Sequence, residues 1–586
     1  MKPLLRLKPY LLRYKRTLIW GVLTVIASNL FTVVQPLFLG RAIDALKAGI
    51  DNHAFVAGDL FRWAVIIVGF SVVAGVFTFL TRQTIIVVSR HIEFDLRNDL
   101  LAHLQRLSYS YFQNTPTGDL MAHATNDIGS VRNVLGPGIM YPTDSLLTFS
   151  MVLVLMLVRD WQLTLLALIP LPFASIAVYS LGKTVHKKSL ERQAQFSLLT
   201  TRAQENLSGI RVIKSYVREE FETERFGKIS WDYLRKNLVL ARIQSLMWPL
   251  MFMIIGCSII ITLYSGGVRV IAGQLTIGEF SAFLAYLVML IWPVIAFGWV
   301  INLLQQGAAS MERLSKIFDT NPEIKDTETT DTQIKGIEGA IEFRGMTFTH
   351  KSGTRPTLES INLLIDKGMT VAVVGYTGSG KTTLVNLIPR LYDITEGQLL
   401  IDGNDIRTIP LEVLRTNIGY VPQETFLFSD TLTENIRYGT DNGTPEHVKE
   451  AADISQIAKD ILEFPNKFDT MIGERGITLS GGQKQRTSIA RALIRQPKIL
   501  ILDDCLSAVD TYTEEEILRR LRAFMKGRTS IIISHRISTV KEADLIVVLD
   551  KGRIVERGTH EQLVAEGGIY AELNEKQLLE RELEEL

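Results

Sequence analysis

The stretch from Leu479 to Asp510 holds two groups of residues suited to phosphate chemistry. Asp503-Asp504 follows the apolar run Ile499 to Leu502. A carboxylate at the end of a buried strand can hold Mg²⁺ through water beside a nucleotide, and a second one next to it can orient an attacking water. Asp503 suits the first task and Asp504 the second. The other group, Ser480-Gly481-Gly482-Gln483, stands where a helix is expected to begin, so its backbone donors and the helix dipole face a phosphate.

Three further pieces complete a nucleotide engine. After the apolar run Met369 to Val374 comes Gly375-Tyr376-Thr377-Gly378-Ser379-Gly380-Lys381-Thr382, with Thr383 following. Glycines let backbone N–H groups approach phosphates, Lys381 reaches the β and γ groups, and the Thr382 hydroxyl binds Mg²⁺. Gln423 supplies an amide for Mg²⁺ and the attacking water. His535, after the apolar strand Ile531 to Ile533, is a candidate sensor for the γ-phosphate, although a lone histidine is more often structural. The implied cofactors are ATP and Mg²⁺.

These pieces need an α/β domain, and the rest of the chain is unlike it. With 586 residues the chain exceeds a single core. The 63 basic and 62 acidic residues nearly cancel, so no nucleic-acid partner is implied. Long apolar runs fill the first 300 residues, and charges crowd the remainder. Cys257 and Cys505 lack metal-ligand or disulfide spacing and read as reduced thiols.

Six segments offer close to the ~20 apolar residues that a bilayer requires. They lie near 17 to 40, 61 to 81, 140 to 158, 161 to 181, 246 to 267 and 280 to 304. Before the first, Lys2, Arg6, Lys8, Arg13, Lys15 and Arg16 stand without any acidic residue, which reads as an amphipathic elbow helix on the cytoplasmic face. The two long loops are rich in Lys and Arg, which puts them and both termini on the cytoplasmic side. Ile92, Leu96, Leu100, Leu104 and Leu107 recur at helical spacing, so the membrane helices are expected to continue far into the cytoplasm. Asn29, Gln35, Gln244, Asn302 and Gln305 are candidates to line a cavity or to bond helix to helix.

The expected fold is therefore a two-domain chain, an all-α six-helix transmembrane domain (1–320) and an α/β P-loop nucleotide-binding domain (341–575). A polar linker (321–340) joins them, and a charged tail (576–586) reads as a solvated end.

The ordered set of motifs behind six spans resembles an ABC exporter half-transporter over nearly the whole chain. The resemblance implies a head-to-tail dimer in which each ATP lies between one chain's phosphate loop and the other's LSGGQ segment. It also implies coupling helices in the loop Tyr109 to Asp119 and the segment Tyr216 to Phe226, and a contact loop at Gly473-Glu474-Arg475-Gly476. The family usually has Glu where this chain has Asp504, and Tyr, stacking on adenine, where it has His350. Asp is one methylene shorter, and a misplacement of about an ångström can cost about 10² in rate. The expected partner is therefore a different half-transporter chain with Glu after its Mg²⁺-binding Asp and an altered LSGGQ. Within a bacterial inner membrane, the pair would export hydrophobic or amphipathic compounds. A homodimeric exporter and an ATP-gated regulator fit the same residues, and the six spans exclude a soluble ABC protein.

Overall fold

The computed structural model describes residues 2–51, 57–351, 353–473, 478–509 and 511–584. The chain divides into two compact units, residues 1–105 with 118–319, and residues 106–117 with 320–586.

The first unit is helical. Lys15–Asp51 is one helix, and Ala57–Thr81 runs through a π-helical turn at Arg82–Ile86 into Val87–Arg106. Glu219–Ile271 is a single helix of 53 residues, about 80 Å at 1.5 Å per residue, against a hydrocarbon core of about 30 Å. The expected continuation beyond the bilayer is thus present. Among the described residues, five helices are long and apolar enough to cross a membrane. The fourth expected segment, 161–181, differs. It breaks at Ile169, between Trp161–Leu168 and Pro170–Ser208, because proline lacks an N–H and clashes with the preceding turn. The second piece is then charged over much of its length.

The outside of this unit is apolar, as lipid contact requires. Val65, Val68, Val72, Val76 and Phe79 are exposed along one helix, whereas Thr24, Asn29, Thr164, Ser258 and Thr262 are buried. At the basic start, Leu7 is buried, Tyr10 donates to Asp99 at 2.6 Å and Arg13 pairs with Asp95 at 3.0 Å.

The second unit contains two sheets. Its strands are β1 (Ile341–Phe348), β2 (Leu358–Ile365), β3 (Thr370–Val374), β4 (Glu396–Ile401), β5 (Asn404–Asp405), β6 (Ile418–Val421), β7 (Ile499–Asp503), β8 (Thr529–Ile533), β9 (Leu545–Asp550) and β10 (Arg553–Gly558). An antiparallel sheet has the order β2-β1-β4-β5, and a six-stranded sheet has the order β10-β9-β3-β8-β7-β6. In the larger sheet only β10 is antiparallel. Parallel strands buried on both faces read as continuous apolar runs. Alternate residues divide between the faces: Val371, Val373, Ile499 and Ile501 join one core with the smaller sheet, while Ala372, Val374, Leu500 and Leu502 join another with the helices.

The expected linker and tail each make contacts of their own. Residues 321–340 have no helix or strand, yet Asp402 accepts from the N–H groups of Glu338, Gly339 and Ala340, and Ile337 is buried. The tail is the end of the helix Ile569–Glu584, with Gln577 bonded to the chain around His535. The first expected coupling loop forms the helix Tyr109–Asn114. Ser108 Oγ accepts from the N–H groups of Glu323 and Ile324, both at 3.0 Å. The second, Tyr216 to Phe226, is a turn with Val217 at φ +51° leading into the helix from Glu219.

Candidate nucleotide site

In an open α/β sheet, ligands bind beyond the carboxyl ends of the parallel strands. Here β3 runs into Gly375, β7 ends at Asp503, β8 stops two residues before His535, and β6 stops two residues before Gln423. The sheet thereby gathers at one edge residues that lie more than 150 positions apart in sequence.

The phosphate loop is fixed by contacts that exclude side chains. Gly375 has φ +142°, and a Cβ there would lie 2.1 Å from the Leu549 carbonyl oxygen. Gly380, at φ +103°, would place a Cβ 2.9 Å from Leu358 Cδ2. Gly378 has open space around it but φ +83°, so its requirement is conformational. Thr377 and Gly378 are exposed, and Thr383 is half-buried in the first turn of the helix Lys381–Leu387. Tyr376 donates its hydroxyl to Glu572 at 3.1 Å.

Lys381 is buried, and its Nζ donates to the carbonyls of Gly375 and Tyr376, each at 2.9 Å. Burial lowers its pKa, opposed by the charges of Asp504 and Asp503. Its ammonium therefore already sits across the loop where phosphates would be cradled.

Thr382 Oγ1 donates to Asp503 Oδ1 at 3.2 Å. Asp503 is almost completely buried, and burial pushes its carboxyl up to about 6. The other oxygen, Oδ2, has no hydrogen-bond partner among the described residues, and neither does Ser379 Oγ. An orphaned buried acceptor beside a hydroxyl is a costly arrangement alone. It fits a hard cation that takes oxygen ligands, as Mg²⁺ does.

Asp504 is half-buried and holds the left-handed φ of +47°, uncommon for a residue with a Cβ. Its N–H donates to Ile533 O at 2.9 Å, which ties it to the end of β8. Its carboxyl accepts from the His535 backbone N–H, and Gln423 Nε2 lies 3.5 Å from Oδ2. Burial raises its pKa, and the charges of His535, Lys381 and Arg536 oppose that rise. Asp504, Gln423 and His535 are thus assembled beside Asp503.

Ser480-Gly481-Gly482-Gln483 stands apart from this cluster. Ser480 caps the helix Gly481–Leu493 with a reciprocal pair: its hydroxyl accepts from Gln483 N at 3.3 Å, and Gln483 Oε1 accepts from Ser480 N at 3.0 Å. Gln483 Nε2 also donates to Asp460 at 2.8 Å. A Cβ on Gly482 would meet Ala508 O at 2.9 Å, and one on Gly481 would meet Ala508 Cβ at 3.3 Å. The glycines let the chain after Asp504 pass close to the helix start. Glu474, Arg475 and Gly476 of the expected contact loop, and Asp510, lie outside the described residues.

His350 meets Phe348 and Tyr392 edge-to-face, with ring centroids 4.8 and 5.4 Å away. It lines a cavity of about 490 Å³ with Ser110, Gln113 and Leu391. Tyr392, Glu572, Gln577 and Asp460 were not legible as site residues. Each makes its contact through the fold, with no motif around it.

Residues 18–294 match the ABC transporter transmembrane region, and residues 358–507 match the ABC transporter family. The chain is 39% identical to the probable multidrug resistance ABC transporter ATP-binding/permease protein YheI of Bacillus subtilis, covering 98% of this chain and 96% of that protein. It is 40% identical to the ATP-dependent lipid A-core flippase of Syntrophus aciditrophicus over 84% of this chain and 82% of that one. A solved bacterial Atm1-family ABC exporter with ATP bound matches with a TM-score of 0.81 at 28% identity, covering 96% of this chain and 99% of that one. Phosphate loop, paired aspartates and LSGGQ helix therefore stand in an integral membrane protein that belongs to the ABC exporters, with an ATPase domain fused to its transmembrane domain.

Proposed function

We propose that this chain is one half of a heterodimeric exporter of hydrophobic or amphipathic compounds, with a slow ATP site of its own. The observation that carries the reading is Asp504, whose carboxyl is held by the His535 N–H beside Gln423 but is one methylene short of the family's Glu. Relatives named for multidrug resistance and for lipid A-core transport support an apolar cargo.

In this reading the backbone of Gly375 to Gly380 and the Lys381 ammonium bind phosphates, with Tyr376, Thr377, Thr383 and His350 around the nucleotide. Thr382, Asp503 and Gln423 hold Mg²⁺, which supplies charge neutralisation on the transferred phosphate. Asp504 orients water, and His535 reads the γ-phosphate. Ser480 to Gln483 complete the competent site of a partner that has Glu at the corresponding position. Domain limits of 1–320 and 341–575, cytoplasmic termini and a bacterial inner-membrane location belong to the same proposal.

ATPase activity of the chain purified alone tests it. Turnover is expected to be slow and to rise at least about tenfold once the partner is added. Vigorous turnover by a dimer of this chain alone would favour the homodimeric reading instead.

A further inference from the structure

The cargo proposed above is defined only as apolar or amphipathic, but one carboxylate of the transmembrane unit narrows it. Asp144 lies in the helix Pro137–Arg159, two residues after Pro142, and accepts from Asn29 Nδ2 at 2.8 Å. Thr148 in turn donates to Asn29 Oδ1. Asp144 forms no ion pair among the described residues, although it shares a cavity of about 120 Å³ with Arg82. Ser28, Thr78, Thr81 and Tyr141 line the same cavity. At about 30 Å³ per water, that volume suits a few waters or one small charged head.

Depth is informative. Asp144 precedes Arg159 by fifteen residues, about 22 Å along a helix, in a hydrocarbon core of about 30 Å. It therefore lies in the leaflet opposite Arg159, which is the cytoplasmic leaflet if the basic loops are inside. An ionisable group at such a depth is expensive and ordinarily functional. Arg82 begins the π-helical turn Arg82–Ile86, a distortion frequent at functional sites. Gly21 accommodates that turn, since a Cβ there would lie 2.5 Å from Ile85 Cγ1. Beside Asp144, the Tyr141 ring stands edge-to-face with Trp299 at 5.2 Å and Trp292 at 6.5 Å.

We infer that Asp144 is a recognition group for organic cations. The cationic nitrogen meets Asp144 beside the ring of Tyr141, which lines the same cavity and is itself packed on Trp292 and Trp299, while its apolar body remains in the membrane. Asn29 and Thr148 orient the carboxylate. Arg82 opposes retention, so a bound cation is not trapped. The inference rests on the exporter reading and adds a charge preference to it. An amine-bearing drug and an aminophospholipid present the same chemistry.

The test uses the purified exporter, with any co-purifying partner, in inside-out vesicles. ATP-dependent uptake of cationic ethidium, neutral Nile red and an acyl-labelled phosphatidylethanolamine is measured. Asp144→Asn is expected to raise the KM for ethidium about tenfold, the loss of one charge-assisted contact, with Nile red uptake retained. Asp144→Glu is expected to restore ethidium uptake, and Arg82→Gln to lower its KM. Sensitivity of ethidium alone identifies small cations as the cargo, and sensitivity of both amines extends it to aminophospholipids. An unchanged ethidium to Nile red ratio in Asp144→Asn overturns the inference. So does an Arg82→Gln defect equal to that of Asp144→Asn, the mark of a structural pair. Failure of the wild-type exporter to concentrate any of the three defeats the exporter reading itself.

Discussion

Burial raises the Asp503 carboxyl from its ordinary 3.8 to about 6, so the nucleotide-free protein binds a proton there more tightly than the unfolded chain does. Between those two values stability falls as pH rises, and above about 6 the full cost remains. Asp503→Asn is therefore expected to raise the Tm of the protein without nucleotide or Mg²⁺ by about 2–4 °C at neutral pH, with the gap closing toward pH 4. Thermal unfolding across that range checks it, and a gap that does not depend on pH would remove the ionisation argument. At Asp504 the question is reach. If the exporter is the heterodimer proposed above, Asp504→Glu is expected to increase hydrolysis at this site about tenfold or more, measured with the partner's site disabled. No gain would mean that the left-handed backbone at φ +47°, rather than side-chain length, sets the rate.

Among the elements, the LSGGQ helix is held more firmly than a motif description conveys. Its cap is internal, Asp460 holds Gln483 at 2.8 Å and Arg486 at 2.8 Å, and Gln485 receives the Ala508 N–H at 3.0 Å. Gly482→Ala would press a Cβ against the Ala508 carbonyl and is expected to lower ATPase activity of the complex by about 10². Circular dichroism should remain native. Wild-type turnover in the variant would show that this approach is not needed. Features of this kind mark the limit of a linear reading. The phosphate loop, the strand before Asp503 and the LSGGQ start were legible because each is a short run with its own period and glycine pattern. Asp460 with Gln483, Gln577 with His535 and Asp144 with Asn29 were not, since the pairing is made by packing between segments far apart. Pro170 was legible as a kink candidate, but the span 161–181 still read as one segment because apolar composition continues through a proline that interrupts the helix.

For the whole molecule, the two halves of the chain were distinguishable by composition alone, lipid-facing apolar helices before a charged α/β domain. Their border in space differs from that in sequence, since residues 106–117 belong to the compact unit of residues 320–586 although they lie between membrane helices in the chain. If the two ATP sites of the exporter are unlike, Lys381→Ala is expected to remove one of the two tightly bound nucleotides per complex and most transport. Equilibrium binding of labelled ATP with the dye assay measures both. Loss of both nucleotides would indicate equivalent sites and a homodimer.

The helix Ile569–Glu584 joins the two ends of the nucleotide site. Glu572 takes the Tyr376 hydroxyl, and Gln577 receives the Ile537 N–H and donates to the His535 carbonyl. Leu578, the next residue, is 53% exposed. A cysteine-linked fluorophore at Leu578 would stand beside the histidine loop without touching the phosphates, and so would signal occupancy of this nucleotide site optically.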